Sequence, residues 1–343
     1  MLTKKKHVNI PVFIPHLGCP NMCVFCNQRS ISGVDEFDLR SVISDIESAL
    51  STIDCESTEV ELAFFGGSFT GIDRALMIDL LEIGKSYLDR GLIKSMRCST
   101  RPDYINEEIL ELLKKYGMST VELGIQSMDD SVLLASRRGH LSSVTRDACR
   151  AVLKSGLALV GQMMIGLPGA SVESEIECAE FISDCGATAA RVYPTVVFHE
   201  TELCSMCESG VYLPLSLDEA VKRTCRVLDV FDKKQIKVIR VGLCSGENLT
   251  DPSRVYAGAN DESIGEMAMS ALYYERICAV LDKMGDLIGR GCVIHCGVGS
   301  VSKISGHRRK NKTALYEKYG IKSLKILENN ELIGYNIRIE IID

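Results

Sequence analysis

Cys19, Cys23 and Cys26 form a C-x3-C-x2-C triplet inside the stretch 15–27, directly after the apolar run Val8–Ile14. Thiolates are soft ligands, and several packed into one loop commonly hold an iron–sulfur cluster. On a four-iron cluster, three cysteines leave one iron free for another ligand. A closed zinc site needs four ligands, so a zinc reading has to recruit His16 or a distant cysteine. The spacing is also not that of a usual zinc knuckle. In a reducing cell, packing alone gives no reason for three thiols within eight residues of a loop that carries Pro and Gly.

Fifteen cysteines in 343 residues, with no credible secretion signal, predict reduced intracellular thiols. Lys4-Lys5-Lys6 before an apolar segment mimics a lipoprotein signal, but Asn9, Pro11, Pro15 and His16 interrupt it. No run reaches the ~20 apolar residues of a membrane span, so the expected location is the cytoplasm. The composition is 46% hydrophobic and 6% aromatic without tryptophan, which suits an aliphatic α/β interior. A net charge of −7 argues against a wholly basic nucleic-acid binder and leaves room for a local basic patch.

Strand patterns recur at Val8–Ile14, Val60–Phe65, Ser95–Ser99, Ser119–Ile125, Leu157–Ile165 and Ala189–Val197, the last interrupted at Tyr193-Pro194. Helical patterns fill the gaps, for example Leu217–Lys233 with Ser216 and Glu219 as a capping box and Cys225 in the core. Such alternation predicts repeated βα units round a parallel sheet with right-handed crossovers. A chemically unusual group ends nearly every strand: the cysteines, Gly66-Gly67-Ser68, Arg101, Gln126 and Gly166-Leu167-Pro168-Gly169. In βα barrels that end carries the active site. The expected fold is therefore a partial (β/α)6-type TIM barrel over residues 1–245, followed by a small C-terminal α/β extension over 246–343 that would act as a lid or an RNA contact.

The triplet, with Phe25 just before its last cysteine, resembles the signature of radical S-adenosylmethionine (SAM) enzymes. The resemblance narrows through Phe65–Thr70, Ser99–Tyr104, Val121–Ser127, Arg138–His140, Met163–Gly169 and Val192–Pro194, which look like the radical SAM core of the Elongator catalytic subunit, over residues 8–243. The chain is too short for that subunit's acetyltransferase domain and is closer to short bacterial Elongator-like forms. The resemblance implies a [4Fe–4S] cluster on Cys19, Cys23 and Cys26, and SAM on the open iron. Phe25, Gly66, Gly67, Ser68, Gln126, Arg138 and Gly166 would line SAM, and an external donor would supply the electron. No residue reads as a substrate acid or base.

Lys303–Lys325 holds eight basic residues, Lys303, Arg308, Arg309, Lys310, Lys312, Lys318, Lys322 and Lys325, against the single acid Glu317. This stretch is the candidate RNA contact, with Tyr316 and Tyr319 as stacking groups, and the Elongator likeness makes a tRNA nucleotide the first substrate class. The acidic loop Gly258–Glu262 falls where substrate contacts would be sought. Two alternatives stand beside it. One is a coproporphyrinogen oxidase-like enzyme on a small molecule; the other is a non-catalytic iron–sulfur or zinc module that binds RNA. Cys204-x2-Cys207, or Cys292-x3-Cys296 with His295 and Cys244, could assemble a second cluster, although each also reads as core. His199, His295 and His307 read as structural, and Cys98 and Cys244 are weak candidates for a reactive thiol.

Overall fold

The computed structural model describes residues 6–14, 17–19, 23–26, 37–243 and 253–342. His16, Cys244 and the opening of the polar segment from Asn248 lie outside the described residues.

β1 (Lys6–Ile14) alternates: Ile10, Val12 and Ile14 are buried under helices, while His7, Asn9, Pro11 and Phe13 line the interior of the sheet's curve. α1 (Leu39–Ser51) begins where the Asp38 carboxylate accepts the Arg40 N–H, and it buries Val42 and Ile46. The unit then repeats through β2 (Thr58–Gly66), α2 (Arg74–Asp89), β3 (Ser95–Thr100), α3 (Glu107–Lys115) and β4 (Thr120–Gln126). α4 (Asp130–Ala135), α5 (Ser142–Lys154), β5 (Ala158–Ile165), α6 (Val172–Asp184), β6 (Ala189–Pro194) and the short β7 (Val196–Phe198) follow. Then come α7 (Glu202–Glu208), α8 (Leu217–Lys233) and β8 (Lys237–Val241). β1 to β6 and β8 form one seven-stranded sheet in that order, and every neighbouring pair is parallel. The sheet curls into an open half-barrel whose two edges, β1 and β8, are not paired with each other.

Sequence periodicity finds six of these strands and misses β8. Lys237-Val-Ile-Arg-Val241 is short, carries two cations and is half-exposed at the sheet edge, so it lacks the apolar run that marks a strand buried on both faces. The capping box on α8 is also only half formed. Ser216 Oγ accepts the Glu219 N–H, but the Glu219 carboxylate turns to Arg223. Cys225 is in the core as expected.

β9 (Val255–Gly258) pairs antiparallel with β7, placing the acidic loop after it beside the end of β6. α9 (Ile264–Leu281) then runs against α8, with Ala268 and Leu272 packed on Cys225 and Leu228, and with Arg276 bridging Asp229 and Asp232. β10 (Gly291–Cys296), α10 (Val301–Ser305), α11 (Lys310–Tyr319), β11 (Ser323–Glu328) and β12 (Ile337–Ile342) complete the extension. β10 is central, with β11 parallel and β12 antiparallel to it. The extension thus seats on an outer helix of the barrel because that is where α8 offers its apolar stripe. Among the described residues, those that line the barrel cavity run from His7 to Leu243.

Inside the curve runs a buried chain of charge. Arg97 Nε donates to Glu61 (2.6 Å), its Nη1 lies 3.8 Å from Glu122, and Glu122 accepts from Arg191 Nε (2.8 Å). Burial holds the Glu122 carboxyl above the usual range against the pull of Arg191 and Arg97. Two guanidiniums and two carboxylates balance, and each makes the others' burial tolerable. Arg97→Met should therefore strip buried Glu61 of its guanidinium partner, leave Glu122 with Arg191 alone, and cost roughly 3 kcal/mol, read as a fall in the urea midpoint; an unchanged midpoint would mean that the chain of charge contributes little to stability.

Candidate functional site

The cysteine loop lies across the C-terminal ends of the strands, tied down by its backbone. Gly67 N–H donates to Ile14 O (3.1 Å) and Ser68 N–H to Leu17 O (3.2 Å), so the β1–β2 pairing runs on past the sheet. Val24 N–H donates to Ser136 O (3.1 Å), and Val24 O accepts the Leu203 N–H (2.9 Å). Val24 is buried with Val197, Leu203, Cys204 and Tyr212. A Cβ on Gly67 would overlap the Leu17 carbonyl, so the glycine pair first serves the close approach of two chain segments.

Cys19, Cys23 and Cys26 are free thiols, and all three line one cavity of about 1520 Å³. Burial raises the Cys26 thiol to about 12, helped by Cys23 and Cys19 and opposed by Arg138 and Arg101. Cys19 is raised by burial too, against the same two arginines. A metal cation inverts that balance, since a coordinating thiol is deprotonated outright. Among the described residues no three His, Cys, Asp or Glu side chains gather as ligands of a single ion. A four-iron cluster asks for something different, because each thiolate binds its own iron.

Two buried guanidiniums converge on the middle sulfur. Arg138 Nη1 lies 3.4 Å from Cys23 Sγ and Arg101 Nη1 lies 3.7 Å from it. Arg138 Nη2 donates to Gly124 O (2.7 Å), and a Cβ on Gly124 would crowd that guanidinium at 2.9 Å. Gln126 ends β4 at a register shift with φ 66°, a left-handed conformation that non-glycine residues rarely adopt. Among the described residues its buried Oε1 has no hydrogen-bond partner, and neither does Arg138 Nε. The site therefore offers three soft donors beside a polar cradle whose own hydrogen bonds are incomplete, and a cluster with a small polar ligand fits that donor set.

Of the residues picked from sequence, Phe25, Gly66, Gly67, Gln126 and Arg138 line the same cavity as the three cysteines. Ser68 and Gly166 do not. Ser68 is buried, with its hydroxyl bonded to Thr100 Oγ1 (2.6 Å) and accepting the Arg101 N–H (3.2 Å). The Gly166 N–H goes to Glu175 (2.7 Å) and its carbonyl accepts the Tyr212 hydroxyl (2.6 Å), so the protein itself uses both groups.

Cys98 is sealed under the helices on the face opposite the cavity-lining Arg97 and Ser99. Cys292 and Cys296 are buried in the small domain's core, Cys204 is packed under the cysteine loop, and His295 lies 3.3 Å from Glu340. The interior charges Arg97, Glu122 and Arg191, and the pairing of Arg101 with Asp103, are additions that sequence reading missed. Their signal was present: charged residues at alternate positions of otherwise apolar strands.

The sequence profile of the radical SAM superfamily matches residues 13–182, and that of the radical SAM C-terminal domain matches 187–273. The chain belongs to the radical SAM superfamily, whose members use a [4Fe–4S] cluster and SAM. It is similar to a tRNA uridine(34) acetyltransferase of Methanocaldococcus jannaschii, 24% identical over 60% of this chain and 45% of that protein. It is also similar to an uncharacterized protein of the same organism (28%, covering 66% and 72%) and to human Elongator complex protein 3 (26%, covering 62% and 46%). The chain thus spans about half the length of the named relatives it matches. Among solved structures, Elp3 of the archaeon Methanocaldococcus infernus superposes with a TM-score of 0.62 at 20% identity, over 80% of this chain and 64% of that one. That likeness establishes the half-barrel fold.

His140 stands behind this site with a buried ring, its Nδ1 3.3 Å from Leu141 O and its Nε2 without a partner among the described residues. Burial, then the charge of Arg138, lowers it from 6.5 to about 4; Asp103 pulls the other way and Arg101 adds to the lowering. A folded value below the unfolded one means stability that is complete above pH 6.5 and is lost as pH falls toward 4. His140→Gln should flatten the decline of the urea midpoint between pH 7 and 5 in the metal-free protein; an equally steep decline would assign it to other groups.

Proposed function

We propose that this radical SAM enzyme acts on a nucleotide of RNA, with tRNA the first RNA to test. Cys19, Cys23 and Cys26 would hold the [4Fe–4S] cluster, and SAM would take the remaining iron. The chemistry supplied by this pair, once bound, is one-electron reductive cleavage of SAM. An external donor must bring the electron.

The chain's own residues do the rest. Gln126 and Arg138 offer the unpartnered Oε1 and Nε beside the cysteines, able to meet a donor and an acceptor of a bound nucleoside or amino acid. Phe25, Gly66 and Gly67 shape the wall next to them. The paired interior charges present a polar, near-neutral surface deeper in the cavity. The curve shields the reacting end from water, while the unpaired edges β1 and β8 leave the half-barrel open along one side.

The observation that carries the assignment is the convergence of three free thiols on one cavity, with two buried guanidiniums on the middle sulfur, in a chain of this superfamily. The RNA part rests on the names of the relatives and on the basic surface. Lys303, Arg308, Arg309, Lys310, Lys312, Lys322 and Lys325 make no ion pair among the described residues, whereas Lys318 pairs with Asp282. Unpaired cations clustered on a chain of negative net charge suit a phosphate backbone. The match covers 45% of the acetyltransferase relative, so acetyl transfer is not carried over in this reading. Residues 1–245 serve in this reading as the catalytic half-barrel and 246–343 as the RNA-contacting extension.

After anaerobic loading with iron and sulfide, the protein with SAM and a strong reductant should release 5′-deoxyadenosine, detected by mass spectrometry. Cys23→Ala should release none. If the loaded protein yields no nucleoside with or without added tRNA, the enzymatic reading fails.

Neutralising Arg308, Arg309 and Lys310 to Gln should weaken tRNA binding at least tenfold at low salt and reduce the slope of log affinity against log salt by up to about 3, near one per lost phosphate contact. Unchanged affinity and slope would move the RNA contact off this surface.

A further inference from the structure

We infer that Arg101 is a positioning residue that sets the reduction potential of the cluster on the cysteine triplet, by fixing a positive charge and a hydrogen bond at Cys23. This rests on the reading of Cys23 as a cluster ligand.

The geometry leaves Arg101 little else to do. It is 3% exposed and absent from the cavity lining, unlike Arg138. Its Nε donates to Asp103 Oδ1 (2.9 Å), and its Nη2 donates to Asp103 Oδ2 (2.8 Å) and to the Arg138 carbonyl (2.6 Å). The fork is therefore locked, and Nη1 is the donor left over, aimed at Cys23 Sγ. Arg101 thus acts on the ligand sulfur and not on whatever fills the cavity.

Arg138 brings a second N–H to the same sulfur, but its side chain also faces the cavity and would feel a bound ligand. With Asp103 between them, the two arginines leave one net positive charge beside the thiolate. Hydrogen bonds to cluster sulfurs and nearby charge are among the factors that set iron–sulfur potentials. Both favour the reduced cluster, which carries one more electron from the external donor. Loss of Arg101 should make reduction harder.

The test is a redox titration of the anaerobically reconstituted full chain with a chemical reductant, followed by the electron paramagnetic resonance signal of the reduced cluster. Iron content and thermal midpoint are measured alongside. In Arg101→Gln, the ratio of reduced to oxidised cluster at the wild-type midpoint should fall from one to roughly one tenth, a shift of about 59 mV to more negative potential for one electron. Asp103→Asn, which removes the opposing charge, should shift the midpoint the other way, and Arg101→Lys should lie between wild type and Arg101→Gln.

Full iron, an unchanged thermal midpoint and a wild-type potential in Arg101→Gln would overturn the inference and leave Arg101 as a strut between Asp103 and the Arg138 carbonyl. So would an Asp103→Asn shift in the same direction as Arg101→Gln. Should Arg101→Gln fail to fold, the direction of the Asp103→Asn shift decides alone. Wild-type protein that takes up no iron would instead refute the ligand reading, and this inference with it.

Discussion

The pairing of Gly67 N–H with Ile14 O and Ser68 N–H with Leu17 O extends the β1–β2 ladder beyond the last pleat, and it does so only because the chain carries glycine where it passes Leu17. On the far side, Val24 is tied to the segment that follows α4 and to the first turn of α7. The two ends of the cysteine loop are thereby fixed to opposite parts of the rim. The spacing between the first sulfur and the other two is then set by the curvature of the sheet and not by the loop's own preferences. A scaffold of parallel strands is stiff, which is what a site that must hold several ligands in one arrangement requires.

The interior chain Glu61, Arg97, Glu122 and Arg191 has a similar logic one layer deeper. Parallel strands covered on both faces are usually aliphatic, yet here four strands, β2, β3, β4 and β6, present charge to the curve. The members pair with one another, and the Arg191 guanidinium also lies over the Phe65 ring at 5.4 Å. The result is a cavity wall that is polar without a net sign. At the rim the balance differs, since Arg101 and Arg138 face Cys23 with Asp103 as the one carboxylate paired to them.

Much of this was legible in the residues. The βα rhythm showed because strands β1 to β6 are bounded by helices of clear period, and the triplet showed because its spacing is local. What stayed hidden is non-local or weakly patterned. Arg101 and Cys23 are 78 positions apart, so nothing in the sequence links them until β1 and β3 curl toward one rim. β8 is too short and too charged to announce itself. β9 pairs with β7 across more than fifty residues and hides in a polar segment. Ser68 and Gly166 stand at strand ends where sequence suggests ligand contact, and within the chain their polar groups bond to Thr100, Arg101, Glu175 and Tyr212.

The seat of α9 on α8 bears on how this chain can be divided. Cys225 and Leu228 on α8, fully buried or nearly so, are covered by Ala268 and Leu272, and Asp229 and Asp232 answer to Arg276. A chain cut near residue 245 would lay that stripe bare along the flank of the half-barrel, together with two carboxylates stripped of their counterion. Modularity in this protein is therefore one of sequence pattern and not of surfaces: the boundary that composition suggests falls before the helix that finishes the barrel's outer coat.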